Sequence, residues 1–302
     1  MPVQSSSQSL LSRVKSRLYV RARRPVAHLL EGQYASMHRG RSLDFDDLRE
    51  YQFGDEVGDI DWRASARHSS VMVRRYGAER RHRLLFAVTG GRNLGAVSAA
   101  GERKADLAVE AVGILGWLAL QHGDEVGALI VDAQHSDRFP FRVGEGALER
   151  LLERIHSDGG FDAAESDPLS LLRQVRDRER RRSLLVVVAD EVAMSAELEE
   201  LIATLSYQHE LLWIELADAH PLGLENARRQ GSFDVSGEWV LPRMLRGNSE
   251  LEAAVSRASE RRDERLLGLL RRGGASHTRV ERRDELASKL LEMLKTRQYD
   301  RH

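Results

Sequence analysis

The sequence predicts an α/β fold with a mainly parallel sheet covered by helices on both faces, and two observations carry that expectation. Short continuous apolar runs recur as LLFAV (84–88), VGALIV (126–131), SLLVVVAD (183–190) and ELLWIEL (210–216). Each has the form of a strand buried on both faces. Helix-periodic segments separate them, and that alternation calls for right-handed crossovers between parallel neighbours. The working surface of such a sheet lies at the carboxyl ends of its strands. Those ends are Ala87–Arg92, Asp132–His135, Asp190–Ala193 and Asp218–Pro221.

Taken in order, residues 1–9 are rich in Ser and Gln and read as disordered. Leu10, Leu11, Val14 and Leu18 then recur at helical spacing among Arg13, Lys15, Arg17, Arg21, Arg23 and Arg24. A basic amphipathic helix can lie on a membrane surface, but this short stripe is aromatic-poor, which favours docking on its own domain. The chain is divided into residues 1–25 (polar terminus and basic helix), 26–82 (a lobe rich in acids, Arg and Trp) and 83–302 (the α/β domain with a C-terminal elaboration). Within the last, helices are expected at 104–122 (by Leu107, Ala111, Leu115 and Leu118), 145–156, 167–180 and 195–208. Beyond ELLWIEL come a hairpin turning at Ser236-Gly237, one or two charged helices over 243–272, a short strand at 277–282 and a final helix from Asp284 to Arg297.

Composition excludes several classes. The net charge is -1 with 31% charged residues, so nothing provides the positive field of a nucleic-acid binder. There is no cysteine, which removes disulfides and thiolate metal sites and fits a reducing cytoplasm. The best apolar run, Val109 to Leu120, contains Glu110 and is too short to span a bilayer. MPVQSSSQSL has no signal-peptide core.

The stretch from Arg39 to Arg80 stands apart. It sets Asp44, Asp46, Asp47, Asp55, Glu56, Asp59 and Asp61 among Arg49, Arg63, Arg67, Arg74 and Arg75, with Tyr51, Phe53 and Trp62 between them. One reading is a network of Arg–carboxylate pairs locking a lobe onto its neighbour. The other is an active site whose acids bind metal or carry protons and whose arginines hold an anion; ion-pair networks commonly mimic sites, which favours the lock.

The same stretch resembles the signature of the domain-of-unknown-function 58 family. The matching pieces are Asp44-Phe45, Arg49 and Tyr51, Gly54-Asp55, Ile60-Asp61-Trp62 and Ala66-Arg67, with Gly58 standing where the family usually has arginine. The resemblance implies a von Willebrand factor A-like domain and association with MoxR-type AAA+ ATPases. It also implies forms with N-terminal membrane helices, of which this chain reads as the short form without them. It supplies no known activity.

A von Willebrand A-like domain implies a metal-ion-dependent adhesion site. That site takes an Asp-x-Ser-x-Ser loop after the first strand, a Thr from a second loop and an Asp from a third, holding a hard divalent ion. Here Ala87 falls at the Asp, Thr89 at the first Ser, Gly91 at the second and Arg92 where the family has Met. No Thr matches in DGGFDAAESD (158–167), and only Asp190 is retained, so no metal is expected. Gly90-Gly91 lacks the Lys-Ser/Thr of a phosphate cradle, the eleven histidines form no H-E-x-x-H, and no G-x-S-x-G elbow occurs. His68, beside Arg67, reads as a surface residue.

Two functions follow as expectations. The first is a non-enzymatic, cofactor-free adaptor with a degenerate adhesion site, acting with a MoxR-type AAA+ ATPase or its client in a chaperone-like or assembly role. The second is a metal-assisted hydrolase on the Asp55, Asp59 and Asp61 cluster, against which stand the missing nucleophile and the abundant arginines.

Overall fold

The computed structural model describes residues 9–20, 24–42, 45–53, 55, 58, 60–67, 70–76, 81–160, 163–218 and 249–299. Expectations for residues 1–8 and for the hairpin at Ser236-Gly237 lie outside them.

The four apolar runs form parallel strands: β3 (Arg83–Thr89), β4 (Glu125–Val131), β6 (Leu184–Ala189) and β7 (Glu210–Leu216). A short strand, β8 (Ser276–Val280), adds to β7 in parallel, and β5 (Ser136–Arg142) adds to β4 antiparallel. The order β5-β4-β3-β6-β7-β8 becomes 3-2-1-4-5-6 when the sheet's strands are counted along the chain. That is a doubly wound sheet whose topological switch point falls between β3 and β6, where such sheets bind ligands.

β5 is absent from the sequence expectation. Its residues alternate between half-buried and exposed, carry Pro140 and cover an edge, so no continuous apolar run marks them.

Helices α4 (Lys104–Gln121), α5 (Glu145–Ser157), α6 (Pro168–Arg178), α7 (Ala196–Gln208), α8 (Ser249–Arg272) and α9 (Arg283–Tyr299) cover the faces. They divide the interior into two clusters. One joins α4, α5 and α9 to Phe86, Val88, Val186 and Ile214. The other joins α6, α7 and α8 to Leu85, Val187 and Trp213. Alternate residues of β3, β4, β6 and β7 feed opposite clusters, as the pleat requires.

The basic helix α1 (Leu10–Val20) docks on this domain. Leu11, Val14 and Leu18 are buried in the first cluster, and Gly113 of α4 receives Val14 so closely that a Cβ would lie 2.9 Å from it. Glu149 on α5 accepts the α1 backbone N–H groups of Leu10 and Leu11 at 2.7 and 2.8 Å, an acid at the positive end of the helix. Lys15 lies 3.7 Å over the Trp117 ring. Helix α2 (Arg24–Ser42) joins the same core through Ala27, Leu30 and Tyr34, whose hydroxyl donates to Asp124 at 3.0 Å. Ala27, Leu30 and Tyr34, in the stretch grouped with the lobe, thus pack on the α/β domain, with α2 lying against α9.

What remains of the lobe is a two-stranded antiparallel ribbon, β1 (Phe45–Glu50) with β2 (Met72–Tyr76), and the single-turn helix α3 (Trp62–Ser65).

Candidate functional site

The sequence singles out two places, the carboxyl edge of the sheet and the lobe. At the edge, the positions aligned with a metal site have the following surroundings. Ala87 is fully buried, its methyl packed in the second cluster with Leu129, Val187 and Leu171. Thr89 ends β3, and its hydroxyl donates across to the Val188 carbonyl at 3.4 Å. Gly91 has φ +93°, and a Cβ there would meet the Ala164 carbonyl oxygen at 2.5 Å, so a serine could not occupy this position unchanged. The Gly91 N–H donates to Asp158 at 3.2 Å, and Ser166 of the second loop spends its hydroxyl on the Gly90 carbonyl at 2.6 Å. Arg92 pairs with Glu165 at 2.9 Å, so the cation beside the loop already has an internal counter-charge.

Asp190, at the end of β6, meets an unforeseen residue. Lys104 opens α4, is 1% exposed, and its ammonium stands 2.7 Å from the Asp190 carboxylate. It also pairs with Asp218 beyond the end of β7, and Asn93 hydrogen-bonds Asp190. Burial alone would lower the Lys104 ammonium, but Asp190 and Asp218 outweigh it and the net shift is upward. Asp190 is also raised, by burial first, against the pull of Lys104 and with the push of Asp218. The two shifts agree in sense: two carboxylates share one ammonium, so the trio holds its protons tightly. At neutral pH Lys104 is charged and Asp190 is its counter-ion, since a buried ammonium without one is far costlier.

Neither Lys104 nor Asp218 was legible as part of a site. Lys104 is one lysine at the start of an apolar helix, and its partners lie 86 and 114 residues away. The available signal was its position: a cation in a helix's first turn opposes the dipole and so calls for another partner.

In the lobe, two signature aspartates accept nearby backbone N–H groups. The Asp61 carboxylate caps α3, accepting the N–H groups of Arg63 and Ala64 at 3.0 Å each, and its own N–H donates to Met72. Asp55 closes a turn by accepting the Gln52 N–H at 2.8 Å. Phe45 and Arg49 lie in β1, paired with Tyr76 and Val73. Ala66 and Arg67 are exposed at the end of α3. Asp61 thus serves its own turn, and Trp62 is 66% exposed. Phe53 is wholly exposed, and Tyr51 and Val71, joined by a backbone hydrogen bond, are also turned outward. Asp44, Gly54 and Asp59 lie outside the described residues. Among the described residues, no group of three or more His, Asp or Glu side chains is arranged to hold a metal ion.

A family described as "Protein of unknown function DUF58" matches residues 47–236, more than half of the chain. The chain belongs to this family. The uncharacterized proteins Rv1480 of Mycobacterium tuberculosis H37Rv and Mb1516 of Mycobacterium bovis are each 27% identical to it over 245 residues, covering 80% of this chain and 77% of theirs. Among solved structures, an aerotolerance-related membrane protein from Bacteroides fragilis is similar at TM-score 0.43 and 10% identity, over 71% of this chain and 99% of that one. A von Willebrand factor type A protein from Catenulispora acidiphila is similar at TM-score 0.37 and 9% identity, over 72% and 42%. Among the described residues of this DUF58 chain, no helix is long and apolar enough to cross a membrane.

Proposed function

We propose that this DUF58 chain is a non-enzymatic interaction module with a degenerate adhesion-type site, working in the cytoplasm with a MoxR-type AAA+ ATPase or its client in an assembly or chaperone-like role. The observation that carries the reading is the outward face of the lobe, where Phe53 is wholly exposed and Trp62 66% exposed. Large aromatics are seldom left in water without use, and they dominate the energetics of protein interfaces. The sheet edge supports the reading from the other side. Among its described acids, Asp190 and Asp218 are engaged with Lys104, Glu165 with Arg92, and Asp132 and Asp158 with backbone N–H groups. The cytoplasmic placement is supported by the absence of cysteine, and the ATPase by the family resemblance.

The test is co-purification of a tagged chain with the MoxR-type ATPase of the same cell, followed by reconstitution from the two purified proteins. Recovery of a stable complex is the expected result. Two pure proteins that fail to associate, with or without ATP, would exclude the partner.

A further inference from the structure

We propose that Lys104 is a resident cation: its ammonium, tethered to α4, takes the place at the sheet's switch point that a divalent ion holds in an adhesion site. This rests on reading the edge as a degenerate site of that kind.

Three facts converge on it. Lys104 is 1% exposed and lies against Asp190, the one aligned carboxylate ligand that the chain retains. Its second partner, Asp218, comes from the next strand end, so one cation gathers the ends of β6 and β7 onto the start of α4. It also sits where a lysine gains nothing from its own helix, whose first turn favours anions. A divalent ion would do the same gathering through the same oxygens, since hard cations take carboxylate, amide and hydroxyl oxygens. Asp190, Asp218 and Asn93 are those donors, but with the ammonium between the two carboxylates they do not fit a metal.

Two consequences follow. The edge keeps one arrangement whether or not divalent ions are present. The cation also cannot accept a partner's carboxylate, because it is sealed from solvent. A partner's carboxylate must therefore be met by some other group.

The experiment is thermal unfolding of the full chain in EDTA and in millimolar Mn²⁺. Wild type should melt at the same temperature in both. Lys104→Ala strands a buried carboxylate and should melt lower in EDTA by on the order of 10 °C. Mn²⁺ should restore part of that loss, because a ligand of the folded state alone stabilises it. In Lys104→Ala/Asp190→Ala the Mn²⁺ response should vanish. Lys104→Met/Asp190→Asn removes both charges, and should melt above Lys104→Ala without responding to Mn²⁺. If Lys104→Ala folds only when Mn²⁺ is present, the proposal stands; if it folds in neither condition while the Met/Asn variant folds, the proposal is overturned. Loss of stability with no Mn²⁺ response, or no loss at all, overturns the resident cation and leaves the degenerate site intact. A Mn²⁺-dependent rise in wild type overturns both.

Discussion

Arg17 of α1 meets Glu110 of α4 at 2.9 Å, in a cavity of about 230 Å³ that Leu18, Glu102, Ile114, Arg283 and Asp284 also line. This pair, with Glu110 buried and Arg17 half-buried, joins α1 to α4. It also gives the fold a dependence on pH. Burial is the main cause that raises the Glu110 carboxyl, to about 7 from 4.5, against Arg17, Arg283 and Arg13, which pull it down; Glu102 adds to the rise.

The folded chain therefore keeps a proton that the unfolded chain releases above about 4.5. Stability from this group is full below that pH and is lost as pH rises through about 7. The whole effect is on the order of 3 kcal/mol. Glu110→Gln keeps the shape without the charge, so its stability should fall less than wild type's between pH 5 and pH 8. Urea unfolding at both pH values reads this directly, and equal slopes for the two proteins would contradict it.

Asp61 makes a second prediction, smaller than its place in the signature suggests. As the cap of α3 it contributes about 1 kcal/mol, the usual worth of an N-cap side chain. Asp61→Ala should raise amide exchange over 61–66, and Asp61→Ser should restore protection, leaving global unfolding almost unchanged. A large global loss in Asp61→Ala would point to the lock.

The contrast between Asp61 and Lys104 shows what the sequence could and could not carry. The parallel strands were legible because LLFAV and SLLVVVAD are buried on both faces and hence apolar throughout. Asp190 was legible because it directly follows such a run. Lys104 was not, because its partners come from strand ends far along the chain, and no local pattern encodes that meeting. Within 39–80, an aspartate before a helical turn satisfies its nearest backbone, as Asp61 does at α3. β5 was hidden by the alternation of an exposed edge.

The loop after β3 rests on a close backbone crossing. A Cβ at Gly95 would lie 1.9 Å from the Gly159 carbonyl oxygen, and Gly159 has φ +84°. Neither backbone atom can yield as a flexible side chain could. Gly95→Ala and Gly159→Ala should each cost more than about 3 kcal/mol, at the upper end of single substitutions. Thermal unfolding checks this; a loss under about 1 kcal/mol would mean that the two loops separate freely.

The lobe's outward aromatics decide the central claim. Phe53 and Trp62 make little of the fold, being wholly and 66% exposed, so Phe53→Ala/Trp62→Ala should melt within a degree or two of wild type, as exposed substitutions do. If they are the anchors of an interface, truncating them removes at least about 2 kcal/mol of binding, a loss of 30-fold or more in affinity. The direct measurement is the Kd of the purified MoxR-type ATPase for wild type and for the double variant, in EDTA and in Mg²⁺. The account predicts weaker binding by the double variant and the same wild-type Kd in both buffers when nucleotide is absent. Equal affinity of the two chains, or wild-type binding that requires Mg²⁺ without nucleotide, would contradict it.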